Sequence, residues 1–161
     1  MVKRAPIHAW SLPERRGTIY PKPYNTSTEG RGKRALGVPF GLDQFGVNLT
    51  TLDAGAASAL LHRHSAEDEL VYVLEGTPTL VTEQDGARVE TALGPGDCIG
   101  FKAGSPKTHA IVNRTDTRAV ILEIGSRRMD DDHVHYADAD MQVVPDGAGG
   151  RKFLRKDGTE F

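Results

Sequence analysis

The run His62-Arg63-His64-Ser65-Ala66-Glu67-Asp68-Glu69 sets two imidazoles one residue apart and a carboxylate just beyond a short polar loop. Residues at i and i+2 of a β-strand project from the same side. His62 and His64 therefore point one way and Arg63 the other. Glu69 opens the next strand-like segment, and His109, ahead of Asn113, begins a later one. Three neutral imidazoles and one carboxylate from separate strands could close on one first-row divalent metal, iron, manganese, nickel or zinc, with positions left open. Such an ion binds a substrate oxygen, acts as a Lewis acid, or activates water or dioxygen. A lone His-x-His is a weak sign; the spaced carboxylate and the distal histidine strengthen it.

Working outward, the chain from Phe45 reads as strands. Gly46 to Leu52 alternates, with Val47, Leu49 and Thr51 on one face and Asn48, Thr50 and Leu52 on the other. Ala59–His64, Glu69–Leu74, Thr79–Glu83, Arg88–Ala92, Asp97–Phe101, His109–Asn113 and Ala119–Ile124 follow. Glu75-Gly76, Asp85-Gly86, Gly94-Pro95-Gly96-Asp97 and Thr115-Asp116 are the turns between them. Short strands at this spacing, with glycine-bearing turns, predict an antiparallel sandwich or barrel. No stretch here has the length and period of a helix.

Three regions result: an N-terminal arm over residues 1–40, the barrel over 41–126, and a C-terminal extension over 127–161 that packs on or near the barrel. Prolines and glycines interrupt the arm, while Trp10, Tyr20 and Tyr24 are apolar anchors that favour an ordered arm over a disordered tail. Arg127 to His133 reads as a polar loop, Met141 to Val144 as a further short strand, and Asp146 to Gly150 as a flexible turn.

The chain has 161 residues, enough for one domain with a real core, and a formal net charge of −2. That balance gives no pull towards nucleic acid or an anionic membrane. The basic segment Arg151 to Lys156 has no aromatic platform beside it and reads as solvated. A single cysteine, Cys98, makes no internal disulfide and is expected in a small apolar niche. No apolar run is long enough to span a bilayer. A cytoplasmic protein is the expectation.

Gly55, His62-Arg63-His64, Glu69 and Gly76 together resemble the first cupin motif, and Gly96-Asp97 through Gly104, His109 and Asn113 resemble the second. The resemblance covers about residues 45–125. It departs from the pattern at three places: one extra residue between Gly55 and His62, Lys102 in place of a proline, and a longer Ser105-Pro106-Lys107-Thr108 spacer before His109. A single-barrel cupin implies an all-β antiparallel jelly roll, His62, His64, Glu69 and His109 as metal ligands, and Asn113 as a structural hydrogen-bonder. It also implies a small-molecule ligand and a homodimer, for which the Trp10–Tyr24 arm is the candidate exchanged element.

Val71 and Val73 share the parity of Glu69, and with Phe101 and Ile111 they are either pocket walls or plain core. Asn48 and Gln44 are candidate polar pocket groups. His133 and His135 form a second His-x-His in an expected loop outside the barrel. Cupin relatives include dioxygenases, isomerases and lyases, and fold does not choose among them. No acid–base dyad is visible apart from the ligands. Two other readings stand beside an enzyme: a non-catalytic sugar-binding or sensory protein, and a structural zinc site saturated by four protein ligands.

Overall fold

The computed structural model describes residues 5–161. Its strands are β1 (Arg15–Arg16), β2 (Arg31–Ala35), β3 (Phe45–Leu52), β4 (His62–His64), β5 (Glu69–Glu75), β6 (Thr79–Gln84) and β7 (Ala87–Ala92). They continue with β8 (Cys98–Phe101), β9 (Thr108–Val112), β10 (Ala119–Ser126), β11 (Val134–Tyr136), β12 (Gln142–Pro145) and β13 (Arg151–Leu154). They form two antiparallel sheets in jelly-roll fashion, ordered β1-β2-β3-β10-β5-β8 and β13-β12-β11-β4-β9-β6-β7. The eight strands expected between residues 45 and 125 are all present, and the one expected at Met141–Val144 is β12, one residue later.

Local chemistry explains the tight connections. Asp85 and Gly86 both adopt positive φ, 52° and 76°, the geometry that lets a two-residue turn follow the twist of the β6–β7 hairpin. Gly76 has φ 78°, and a Cβ there would lie 2.8 Å from the Arg118 carbonyl oxygen, so only glycine passes.

Two regions read as irregular contain strands. β2 falls inside the expected arm and pairs with β3 along its length, Arg31↔Leu52 to Ala35↔Asn48. β11 falls where a loop was expected around His133 and His135, just after the polar segment, and pairs with the His-x-His strand, Val134↔His64 and Tyr136↔His62. In both places pairing with a longer, well-patterned neighbour supplies the order that local composition lacks.

The main core lies between the sheets and includes Leu52, Val71, Val73, Leu80, Ile111 and Ile121. Each such buried side chain contributes about 1.5–3 kcal/mol. A second cluster, Val134, Tyr136, Met141 and Val143 with Tyr20, Tyr24, Leu60 and Phe153, fastens the C-terminal strands and the arm to the same body. The arm is ordered and packs on the C-terminal strands: the Tyr20 ring meets Tyr136 at 5.6 Å and Phe153 at 6.0 Å. No helix among the described residues is long and apolar enough to cross a membrane.

Candidate metal centre

The strand register builds the site. His62 and His64 leave β4 on its inner side, and His62 stands directly opposite His109 of β9. The longer spacer before His109 thus leaves its register intact; Thr108 anchors the strand start through its hydroxyl to the Glu83 carbonyl, 3.2 Å. Lys102, in the place of the motif proline, reaches the Asp68 carboxylate at 2.9 Å, and Asp68 also accepts from the Ala103 N–H. That ion pair holds the loop that a proline would otherwise stiffen.

Glu69 Oε2 is the convergence point. It lies 3.8 Å from His62 Nε2, 3.7 Å from His64 Nε2 and 3.1 Å from His109 Nε2. Donors about 2.1 Å from one ion sit about 3–4 Å apart, so this spacing fits a single cation. His62, His64 and Glu69 form a cluster whose ligand atoms all lie within 4.8 Å of one another.

The outer atoms of the rings support the same reading. His62 Nδ1 faces the Leu60 carbonyl at 2.8 Å, and His64 Nδ1 faces Asp132 Oδ2 at 2.7 Å. A proton on each Nδ1 satisfies these contacts and leaves each Nε2 bare towards Glu69, the arrangement a metal-binding histidine needs. His109 differs. Its Nδ1 is buried without a hydrogen-bond partner, and its ring stacks on Phe101 with centroids 3.5 Å apart. It is positioned as a fourth donor but lacks the outer hydrogen bond that the other two possess.

The charge states follow from the same contacts. Burial, with neighbouring His109, pushes His62 down to about 3, so it is neutral near pH 7. Burial alone would raise the Glu69 carboxyl, but the His109 hydrogen bond and the three facing rings outweigh it and hold it down at about 2. Burial would likewise lower His64, but the bond to Asp132 and the nearby carboxylates reverse the sign and raise it.

The cluster opens into a cavity of about 470 Å³ lined by Lys33, Asn48, Glu67, Glu123, Arg127 and Arg151, besides His62, His64 and Glu69. Gly125 faces Glu69 across β10, and Gly46 faces Gly125 across β3. Two glycines in the row beside Glu69 leave room where side chains would fill it.

Three of the four expected pocket walls fall elsewhere. Val71, Val73 and Ile111 have the inward parity expected of them but lie deeper, in the closed core. Phe101 covers His109 and, with Phe45 and Leu70, borders a more apolar depression that adjoins the main cavity along Glu69, Ile124 and Gly125. Asn48 does line the main cavity, whereas Gln44 does not. His135 lies on β11, exposed and opposite Arg63, in a strand where a loop was expected. Cys98 is exposed, contrary to the small apolar niche expected for it.

Sequence reasoning missed Lys33, Glu67, Glu123, Asp132, Arg127 and Arg151. Only Glu123 carried a local signal, as the one charge within the apolar run Ala119-Val120-Ile121-Leu122-Glu123-Ile124.

Residues 48–125 match the family described as Cupin domain. The chain is similar to the crystal structure of a sugar phosphate isomerase from a cupin superfamily of Silicibacter pomeroyi DSS-3. The two are 41% identical over 98% of this chain and 96% of that one, with a TM-score of 0.88. The chain belongs to the cupin superfamily. This cupin is also similar to a putative sugar phosphate isomerase from Acidithiobacillus ferrooxidans ATCC 23270, 28% identical over 90% and 86% of the two chains, TM-score 0.72. It shares its fold with the polyketide cyclase RemF from Streptomyces resistomycificus, 24% identical over 78% and 80%, TM-score 0.58. No curated protein sequence matches it.

Proposed function

We propose that this cupin is a divalent-metal-dependent isomerase of small phosphorylated hydroxy-carbonyl compounds. The observation that carries the reading is the His62–His64–Glu69 cluster opening into a polar cavity of about 470 Å³. Two similar structures named as sugar phosphate isomerases, one of them putative, support it. Among the dioxygenase, isomerase and lyase chemistries expected of the family, isomerisation uses what lines this cavity. Proton transfer needs a carboxylate beside the reacting carbon, and a phosphate needs a cation within reach.

In this reading His62, His64 and Glu69, with His109 beside them, hold the metal, which when bound supplies Lewis acidity towards substrate oxygens. Asp132 and the Leu60 carbonyl orient the ligand rings. Arg127, exposed at the cavity wall, attracts the anionic end of the substrate. Gly46 and Gly125 leave space beside Glu69 for the reacting end.

Elemental analysis and a panel of aldose and ketose phosphates test the reading. Untagged protein reconstituted with iron, manganese, nickel or zinc is expected to hold about one ion per chain and to interconvert a member of the panel. The His62→Ala/His64→Ala variant is expected to lose both properties. Dioxygen consumption without isomerisation would move the assignment to an oxygenase. Ligand binding without turnover would move it to a sensory protein, and wild type that takes up no metal would overturn it.

A further inference from the structure

Glu123 belongs to the inner face of β10. It stands opposite Val71 of β5 and opposite Asn48 of β3, one pleat row from Glu69, which stands opposite Gly125. Such diagonal neighbours on a sheet lie about 7–8 Å apart. The residue is 7% exposed, and that exposure is to the cavity. A carboxylate so placed needs partners, and both of its partners take the same oxygen. Oε2 accepts from the Thr50 hydroxyl at 2.5 Å and lies 2.7 Å from Lys33 Nζ in an ion pair. Oε1 accepts no hydrogen bond from the described residues and is not buried from solvent.

One oxygen is thus clamped and the other is free, at the wall of a cavity that begins at the metal cluster. The Lys33–Glu123 pair is not required to join its strands, because the β2–β3 and β3–β10 ladders already do so. Replacing such a buried pair by apolar side chains is often neutral or stabilising, so stability alone is a poor account of it.

Resting on the isomerase reading, we propose that Glu123 is the proton carrier of the reaction and that the substrate class is 2-hydroxyaldehydes and their 2-ketone isomers. Glu123 Oε1 takes the proton from the hydroxyl-bearing carbon next to the carbonyl. The C–H electron pair becomes the C=C bond of a cis-enediolate, and the carbonyl oxygen receives the charge. The neighbouring hydroxyl passes its proton to that oxygen. Glu123 then returns its own proton to the former carbonyl carbon as the double bond moves back to oxygen. No atom is gained or lost, and no oxidant or reductant is consumed. Lys33 and Thr50 together hold the carboxylate in its rotamer.

The test compares wild type, Glu123→Gln, Glu123→Asp and Lys33→Met, each metal-loaded, for metal content, thermal midpoint, kcat, KM and deuterium uptake from D2O. Glu123→Gln is expected to keep its metal, midpoint and KM while kcat falls about 10²–10⁴-fold and deuterium uptake at carbon stops. Glu123→Asp is expected to bind metal fully and turn over slowly. Lys33→Met, which releases one of the two groups clamping Oε2, is expected to keep its metal and to lose kcat without a matching rise in KM. Glu123→Gln within about threefold of the wild-type kcat would overturn the proposal and leave the isomerase reading standing. So would a Glu123→Gln that loses its metal or its fold beside a fully active Glu123→Asp. Metal-loaded wild type that isomerises nothing would overturn the isomerase reading itself, and this proposal with it.

Discussion

Asp132 ties the metal cluster to the C-terminal extension. Fully buried, it holds His64 Nδ1 at 2.7 Å through Oδ2, and Oδ1 accepts from the backbone N–H of Ala66 at 2.9 Å and of Glu67 at 3.2 Å. Arg151 of β13 reaches Oδ2 at 3.3 Å and Glu67 at 2.6 Å. Burial would raise the Asp132 carboxyl, but the His64 ring and the Ala66 and Glu67 N–H groups lower it on balance, so it stays ionised. An ionised partner fixes the His64 tautomer and makes Nε2 a better donor to metal. Asp132→Asn preserves size but removes the charge. Its metal affinity, read by competition with a chromogenic chelator, is expected to fall about 10–100-fold. An unchanged affinity would show that His64 is oriented by something else.

At the scale of elements, Asn113 is the residue that joins strand ends. It follows β9, and its side-chain amide donates to the carbonyls of Leu52 at 2.9 Å, Asp53 at 3.1 Å and Thr117 at 2.7 Å. Its carbonyl oxygen accepts from the N–H and hydroxyl of Thr115, 3.1 and 2.7 Å. One buried side chain thereby ties the end of β3 to the turn between β9 and β10. The structural role that the motif resemblance implied for this asparagine has its physical basis in these bonds. Asn113→Ala would leave buried carbonyls unpaired, and denaturant melts are expected to show a loss of about 2–4 kcal/mol. A loss below about 1 kcal/mol would mean that water replaces the amide. The strands on either side were legible because alternation and turn residues are local signals. β2 and β11 were not, because their order comes from the ladders they join.

At the scale of the whole molecule, the arm and the C-terminal strands pack on one another through Tyr20, Tyr24, Tyr136 and Phe153. Trp10 lies between the guanidinium groups of Arg34 and Arg118, 4.9 and 5.4 Å from its ring centre, and the Tyr24 hydroxyl accepts from the Asp140 N–H at 2.8 Å. A surface other than the arm is also available to a homodimer. The outer side of β5 exposes Leu70, Tyr72 and Leu74, each to nearly two-fifths, beside Phe45 of β3. Covering such a row recovers about 25 cal/mol per Å² of apolar area, and a second copy of the chain is the occupant we propose. Equilibrium sedimentation is expected to give a dimer for wild type and a monomer for Tyr72→Glu/Leu74→Glu. A monomeric wild type would sink this proposal.

The sequence by itself determined the strand pattern between Phe45 and Ile124 and singled out His62, His64, Glu69 and His109, because period-two alternation and motif spacing act over a few residues. It also set the inward parity of Val71, Val73 and Ile111. Whether an inward residue meets the core or the cavity depends on how far along the strand it sits relative to the opposite sheet, and tertiary structure alone decided that these three are core. The same holds for Lys33, Asp132 and Arg151. They lie far from the ligands in sequence, and only the pairing of β2 with β3, and of β13 through β12 and β11 with β4, brings their charges to the site.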